Sequence, residues 1–194
     1  MTRAATFGYI AGLMLTATTV VVLLTSPGRQ LSGKGPMNTG HENLSCQDCH
    51  APVKSGFGYG KVENAQCQGC HQRTQDNHPV TEFSTARFEE ARRTLNPEHC
   101  VSCHREHQGV RVTMPVDACK HCHQKISIRK DPIDVPHADL VKQGRWETCL
   151  GCHDFHGNHV MQVKEKISET ISTEILLKYF LGGPSPYARE KKAK

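Results

Sequence analysis

Large apolar side chains are scarce in this chain. Phe, Tyr and Trp together make up 6% of its 194 residues, with a single tryptophan. Between Cys46 and His153 there are too few Phe, Leu and Ile, among too many polar residues, to bury a self-sufficient core. Cysteine is absent outside one repeated unit, which takes up all ten copies and leaves none for a separate disulfide framework. What fills the chain instead is that unit, five residues long and present five times.

The copies are Cys46-Gln47-Asp48-Cys49-His50, Cys67-Gln68-Gly69-Cys70-His71, Cys100-Val101-Ser102-Cys103-His104, Cys119-Lys120-His121-Cys122-His123 and Cys149-Leu150-Gly151-Cys152-His153. Two thiols separated by two residues can add to the two vinyl groups of one haem, and the following histidine is placed to ligate its iron, which is the c-type attachment signature. Structural zinc uses CxxC pairs, but five pairs do not divide into four-cysteine sites, and zinc gives no reason for a histidine after every pair. CxxC is also a strained redox spacing and a poor structural staple. With histidine at 13 of 194 positions, chance would place one after all five pairs in about one sequence in a million, taking the pairs as given. The reading is five covalent haems c, with His50, His71, His104, His123 and His153 as proximal iron ligands.

The haems then have to be the core. The expected fold is a multihaem cytochrome c, made mostly of short helices and irregular loops wrapped around five covalent haems, with little or no sheet. One N-terminal transmembrane helix and a C-terminal amphipathic helix flank it. The formal charge of +5 does not point to nucleic acid. Each haem brings two propionates against one net positive charge on ferric iron–porphyrin, so five ferric haems lower the total to about zero and full reduction to about −5.

Residues 1–25 read as a membrane anchor. Phe7 to Leu24 carry no charge and as a helix would reach about 27 Å. A signal peptide is the competing reading, but the apolar run is long and Leu23-Leu24-Thr25-Ser26-Pro27 offers no small-x-small cleavage site. Residues 26–40, rich in Gly, Ser, Pro and Asn, read as a linker, and 41–159 as the pentahaem domain. Within that domain Phe83 to Leu95 reads as a short amphipathic helix ended by Asn96-Pro97, and a second helical stretch contains Leu140, Val141 and Trp146. Val163, Ile167, Ile171 and Ile175 recur every four residues, which predicts a C-terminal amphipathic helix over 160–181, stopped by Gly182-Gly183 and Pro184. A basic tail, 182–194, follows. Motif starts are separated alternately by short and long gaps, which suggests a two-haem repeat in which the first, third and fifth motifs correspond. The third and fifth also share a second histidine three residues after the first, His107 and His156.

Eight histidines remain for five distal iron positions. The expected distal ligands are His41, His78, His107, His137 and His156. His41 lies just before the first motif, His107 and His156 occur in matching contexts, and His78 and His137 lie in the long gaps. His99, His121 and His159 are weaker candidates, and Met37, Met114 and Met161 are read as packing residues. Two histidines on each iron give a low-potential six-coordinate carrier closed to substrate, whereas an empty position would admit one.

On these five motifs and the distal-histidine spacing, the region from His41 to His159 resembles membrane-anchored multihaem c-type cytochromes and is similar to the class III, bis-histidine group. With its single anchor the chain also resembles quinol-dehydrogenase cytochromes that feed periplasmic reductases, and pentahaem subunits of larger quinol-oxidising complexes. The resemblance implies electron transfer along a haem chain, between a membrane-side donor and a redox protein or a subunit of a membrane redox complex. It places the chain in the cytoplasmic membrane with the haem domain on the periplasmic or outer side. The alternatives are a quinol dehydrogenase or reductase with one open haem, and a haem-bearing structural subunit of a larger complex or polymer. No residue stands out as catalytic.

Overall fold

The computed structural model describes residues 3–25, 34–51, 59–72, 76–161 and 164–187. Among these there is no strand, only helices and loops. The N-terminal helix α1 (Arg3–Leu24) has 22 residues and buries none of them, and it spans about 33 Å. Its length and apolar composition would let it cross a bilayer, and a signal sequence has the same character. The other α-helices are four to eight residues long: α2 (Cys46–Cys49), α3 (Asn64–Cys70), α4 (Glu89–Thr94), α5 (Cys100–Cys103), α6 (His137–Lys142), α7 (Cys149–Cys152) and α8 (Thr173–Phe180). Isolated helices this short do not hold in water, so tertiary contacts must fix them.

The buried apolar side chains are few, and four of them cluster where α8 lies on α7. Leu150 meets Leu176, Tyr179 and Phe180, with Val112, Met114, Val116, Ile171 and Tyr187 around them. Arg111 fastens the end of α8. Its backbone N–H donates to Phe180 O at 2.7 Å, its guanidinium donates to Tyr179 O and Gly183 O at 2.6 and 3.0 Å, and its Cζ sits 4.2 Å from the Tyr179 ring centroid.

The C-terminal helix is shorter than the expected 160–181. It is α-helical only over Thr173–Phe180, preceded by a 3₁₀ turn at Ile167–Glu169, and residues 162–163 lie outside the described set. Between turn and helix the backbone of Thr170 and Ser172 is extended. There it lies so close to α7 that a Cβ on Gly151 would stand 2.6 Å from Ile171 O. The Ser172 hydroxyl then accepts from Ile175 N–H and starts α8 as an N-cap. The expected Phe83–Leu95 helix is likewise divided into 3₁₀ turns at Val80–Ser84 and Ala86–Phe88 followed by α4. The hydroxyls of Ser84 and Thr85 bond carbonyls of their own turn, Thr81 O and Glu82 O, a local alternative to the helical ladder. The helical run ends at Asn96 in the left-handed conformation, φ 49°, which asparagine adopts more readily than most residues at a helix end.

The ends of the domain reach beyond the expected limits. Residues 26–33 and 188–194 lie outside the described residues, but Asn38, expected in the linker, is 3% exposed. Its amide donates to Arg105 O at 2.9 Å and accepts from Gln108 N–H at 3.1 Å. Tyr187, expected in the tail, stacks on His159 with ring centroids 3.9 Å apart.

Candidate functional site

Each CxxC segment forms a single turn of helix, and in all five the N–H of the motif histidine donates to the carbonyl of the first cysteine. The pairs are His50–Cys46, His71–Cys67, His104–Cys100, His123–Cys119 and His153–Cys149, at 2.8 to 3.0 Å. Positions i, i+3 and i+4 share one face of a helix. The turn therefore presents two thiols and one imidazole to the same side, as a doubly attached porphyrin requires.

Helix α3 of the second motif adjoins both α2 and α5, the helices of the first and third, and the turn Ala118–His121 of the fourth adjoins the turn before the fifth. Burial, then the adjacent Cys100 thiol, pushes the Cys67 thiol up to about 11. Asn64 of α3 holds this junction, donating to Glu98 O at 2.6 Å and accepting from Cys100 N–H at 2.9 Å. The Cys119 and Cys149 thiols act on each other in the same way, which raises Cys149 and lowers Cys119.

Opposite each motif histidine stands another imidazole. His50 faces His107 at 6.4 Å between ring centroids, His71 faces His41 at 5.8 Å, and His104 faces His156 at 6.2 Å. His123 faces His78 at 6.0 Å and His153 faces His137 at 6.2 Å. Two imidazoles on opposite sides of one metal ion, each bonded at roughly 2 Å with the ring centre roughly 1.1 Å farther on, have centroids roughly 6.2 Å apart. The observed separations are those of rings with room for one ion between them. The five facing histidines are the five expected from sequence as distal ligands, and the residues present fit the group implied by the motifs.

The outer nitrogens of the facing rings are also occupied. Nδ1 of His41 meets Glu106 Oε1 at 2.5 Å. Nδ1 of His137 lies 3.0 Å from both oxygens of Asp131, and Nδ1 of His156 lies 3.2 and 3.1 Å from those of Asp76. His78 and His107 turn Nδ1 to backbone carbonyls, Phe155 O at 2.6 Å and Gly35 O at 3.3 Å. An Nδ1–H engaged in this way leaves Nε2 as the lone-pair nitrogen and fixes the plane of the ring. Among the motif histidines, His50 and His104 bond Gly60 O and Arg111 O. Burial, then the facing His78 or His137, holds His123 and His153 below the ordinary imidazole value.

The contacts carry a two-motif repeat. His107, which follows the third motif, faces the histidine of the first, and His156, which follows the fifth, faces that of the third. His41 bonds Glu106, the residue before His107, and His78 bonds Phe155, the residue before His156. The Phe155 ring joins the second unit internally, stacked on His78 at 4.2 Å and edge-on to His156 at 4.8 Å.

The remaining histidines do other things. His159 bonds Asp154 Oδ2 through Nδ1 at 2.9 Å and the Tyr179 hydroxyl through Nε2 at 3.3 Å, so both its nitrogens are engaged by the C-terminal cluster. His99 is the N-cap residue of α5, and His121 ends the 3₁₀ turn Ala118–His121. Met114 packs in the apolar cluster. Sequence reasoning missed Glu106, Asp76 and Asp131, whose only signal was an acidic residue in a histidine-rich chain.

No curated protein and no solved structure matches the chain. A family model does: residues 39–124 match cytochrome c3, a stretch that contains the first four motifs and less than half of the chain. The chain therefore carries a cytochrome c3-like domain, and this match supports a multihaem electron-transfer cytochrome with covalently bound haem c.

Proposed function

We propose that the chain holds five haems c, each between one motif histidine and one facing histidine, and serves as a membrane-anchored electron carrier. The observation that carries this reading is the one-to-one pairing of five CxxCH histidines with five other imidazoles at 5.8 to 6.4 Å. Haem c, when bound, supplies a one-electron iron couple, and electrons pass between neighbouring groups. The chain fixes both axial rings, excludes substrate from the iron and sets the order of the sites. Helix α3 of the second motif adjoins α5 of the third, and the turn Ala118–His121 of the fourth adjoins the turn Trp146–Thr148 that leads into the fifth. Helices α2 and α3 adjoin at the first and second motifs, and Phe155 links His156 of the third site to His78 of the fourth. These junctions favour a path that follows chain order.

A reductase would need an iron with one protein ligand, and each motif histidine has an imidazole opposite. That favours the carrier over the reductase. Helix α1 serves as the anchor, with the domain on the outer side of the cytoplasmic membrane, where haem is joined to CxxCH motifs. The partners are a membrane-side donor, with quinol as the alternative, and a redox protein or fellow subunit as acceptor. Intact mass of the exported protein tests the reading. Five haem additions with residues 1–25 retained are expected, and fewer additions or loss of the N-terminal segment would contradict it.

A further inference from the structure

The five facing histidines fall into two classes by what holds their outer nitrogen. His41, His156 and His137 meet carboxylates, Glu106, Asp76 and Asp131 respectively. His107 and His78 meet neutral backbone carbonyls. Their motif partners are His71, His104 and His153 for the first class, and His50 and His123 for the second.

We propose that Glu106, Asp76 and Asp131 are positioning residues that hold the irons of the second, third and fifth motifs at lower potential than those of the first and fourth. The proposal rests on the five-site reading given above. An imidazole that donates Nδ1–H to a carboxylate gains anionic character and becomes a stronger donor through Nε2. Ferric iron carries one more positive charge than ferrous iron, so the stronger donor favours the oxidised form. Hydrogen bonds to an ionised acceptor are about twice as strong as those to a neutral one, so the carbonyl-bonded sites lack most of this effect. The charges sit close to the rings and largely out of water: the side chains of Asp76 and Asp131 are 12% exposed and that of Glu106 is 26% exposed. The effect should be smaller for Glu106. Asp76 and Asp131 also accept backbone N–H groups, from His78 at 2.9 Å and from His137 at 2.6 Å, which keeps each carboxylate oriented. In the two-motif repeat, Glu106 and Phe155 occupy equivalent positions, one offering a side-chain carboxylate and the other a main-chain carbonyl to the neighbouring ring. The repeat therefore carries the potential difference at that position.

The test is a spectroelectrochemical titration of the haem-loaded full chain with D76N, D131N and E106Q. Each substitution should raise the midpoint of one component by about tenfold in its redox equilibrium, about 59 mV for a one-electron couple, while the low-spin EPR signals persist. D131E, which keeps a carboxylate, should restore most of the difference. The unsubstituted protein should separate into three lower and two higher components, a reading that needs no variant to fold. Unmoved midpoints with low-spin signals intact, or five components that titrate together, would overturn the proposal. A high-spin signal or fewer than five haems in the unsubstituted protein would instead defeat the five-site reading itself, so the two failures are distinct.

Discussion

Replacing Asn38 with alanine removes the two side-chain hydrogen bonds that clasp residues 105–108, those to Arg105 O at 2.9 Å and from Gln108 N–H at 3.1 Å. The clasped segment carries Glu106, which holds His41, and His107, which faces His50. Asn38 is 3% exposed, so water does not freely replace what is lost. With a cost of about 1–3 kcal/mol for each buried group left without a partner, N38A should destabilise the domain by about 2–4 kcal/mol. His107 sits at φ 63°, a conformation that non-glycine residues hold only when their surroundings enforce it, so the loss should be felt at this histidine first. N38D sharpens the test, because it keeps an acceptor for Gln108 but offers no donor to Arg105 O and places a second carboxylate beside Glu106. The assay is chemical denaturation followed in the haem absorbance, with EPR of the native state. N38A should lower the midpoint and release a high-spin fraction at the first site, and N38D should do so more severely. An N38D protein as stable and as fully low-spin as the unsubstituted one would refute the clasp.

Two further outcomes follow from the C-terminal contacts. A Cβ at Gly151 would stand 2.6 Å from Ile171 O and 3.2 Å from Thr170 Oγ1, so G151A should lift the 170–172 segment from α7 and cost about 1–3 kcal/mol; limited proteolysis in that segment should become faster, and unchanged resistance would contradict the packing. Burial pushes the Asp154 carboxyl up, but hydrogen bonds from the His159 ring and backbone and from the His156 backbone outweigh it and hold the group at about 2, against an ordinary 3.8. Because the folded value is the lower one, the stabilisation is complete above about pH 4 and is lost as pH falls through about 2. D154N should therefore be less stable than the unsubstituted protein at pH 6 by about 1 kcal/mol after allowance for solvent screening, with the two denaturation midpoints converging near pH 2. A gap that persists at pH 2 would refute the assignment.

The chemistry of this chain is written in short-range spacing, and that part was legible. One helical turn fixes two cysteines and a histidine on a common face, so each motif could be recognised without knowing anything beyond itself. The choice of His41, His78, His107, His137 and His156 from eight candidates rested on weaker cues, yet these are the rings that face the motifs. Which ring meets which motif was not legible, because the pairs join distant segments. The second histidine of the third motif faces the histidine of the first, and that of the fifth faces the histidine of the third. The four-residue spacing of Val163, Ile167, Ile171 and Ile175 suggested a long helix, but the close approach of Ile171 to Gly151 holds the chain extended there, and nothing local to 160–181 announces that neighbour. Asn38 looked like linker composition. Its burial depends on Arg105 and Gln108, some seventy residues away. The carboxylates behind His41, His156 and His137 were hidden for the same reason: an acidic residue in sequence reads as a solvated charge until its partner is known.

EPR spectroscopy of the oxidised, haem-loaded full chain, with haem quantitation on the same sample, tests the central claim most directly. Five haems per chain, all low-spin ferric and indifferent to added carbon monoxide after reduction, is the result that five paired imidazoles predict. A high-spin ferric signal that responds to an exogenous ligand, or fewer than five haems, would contradict it.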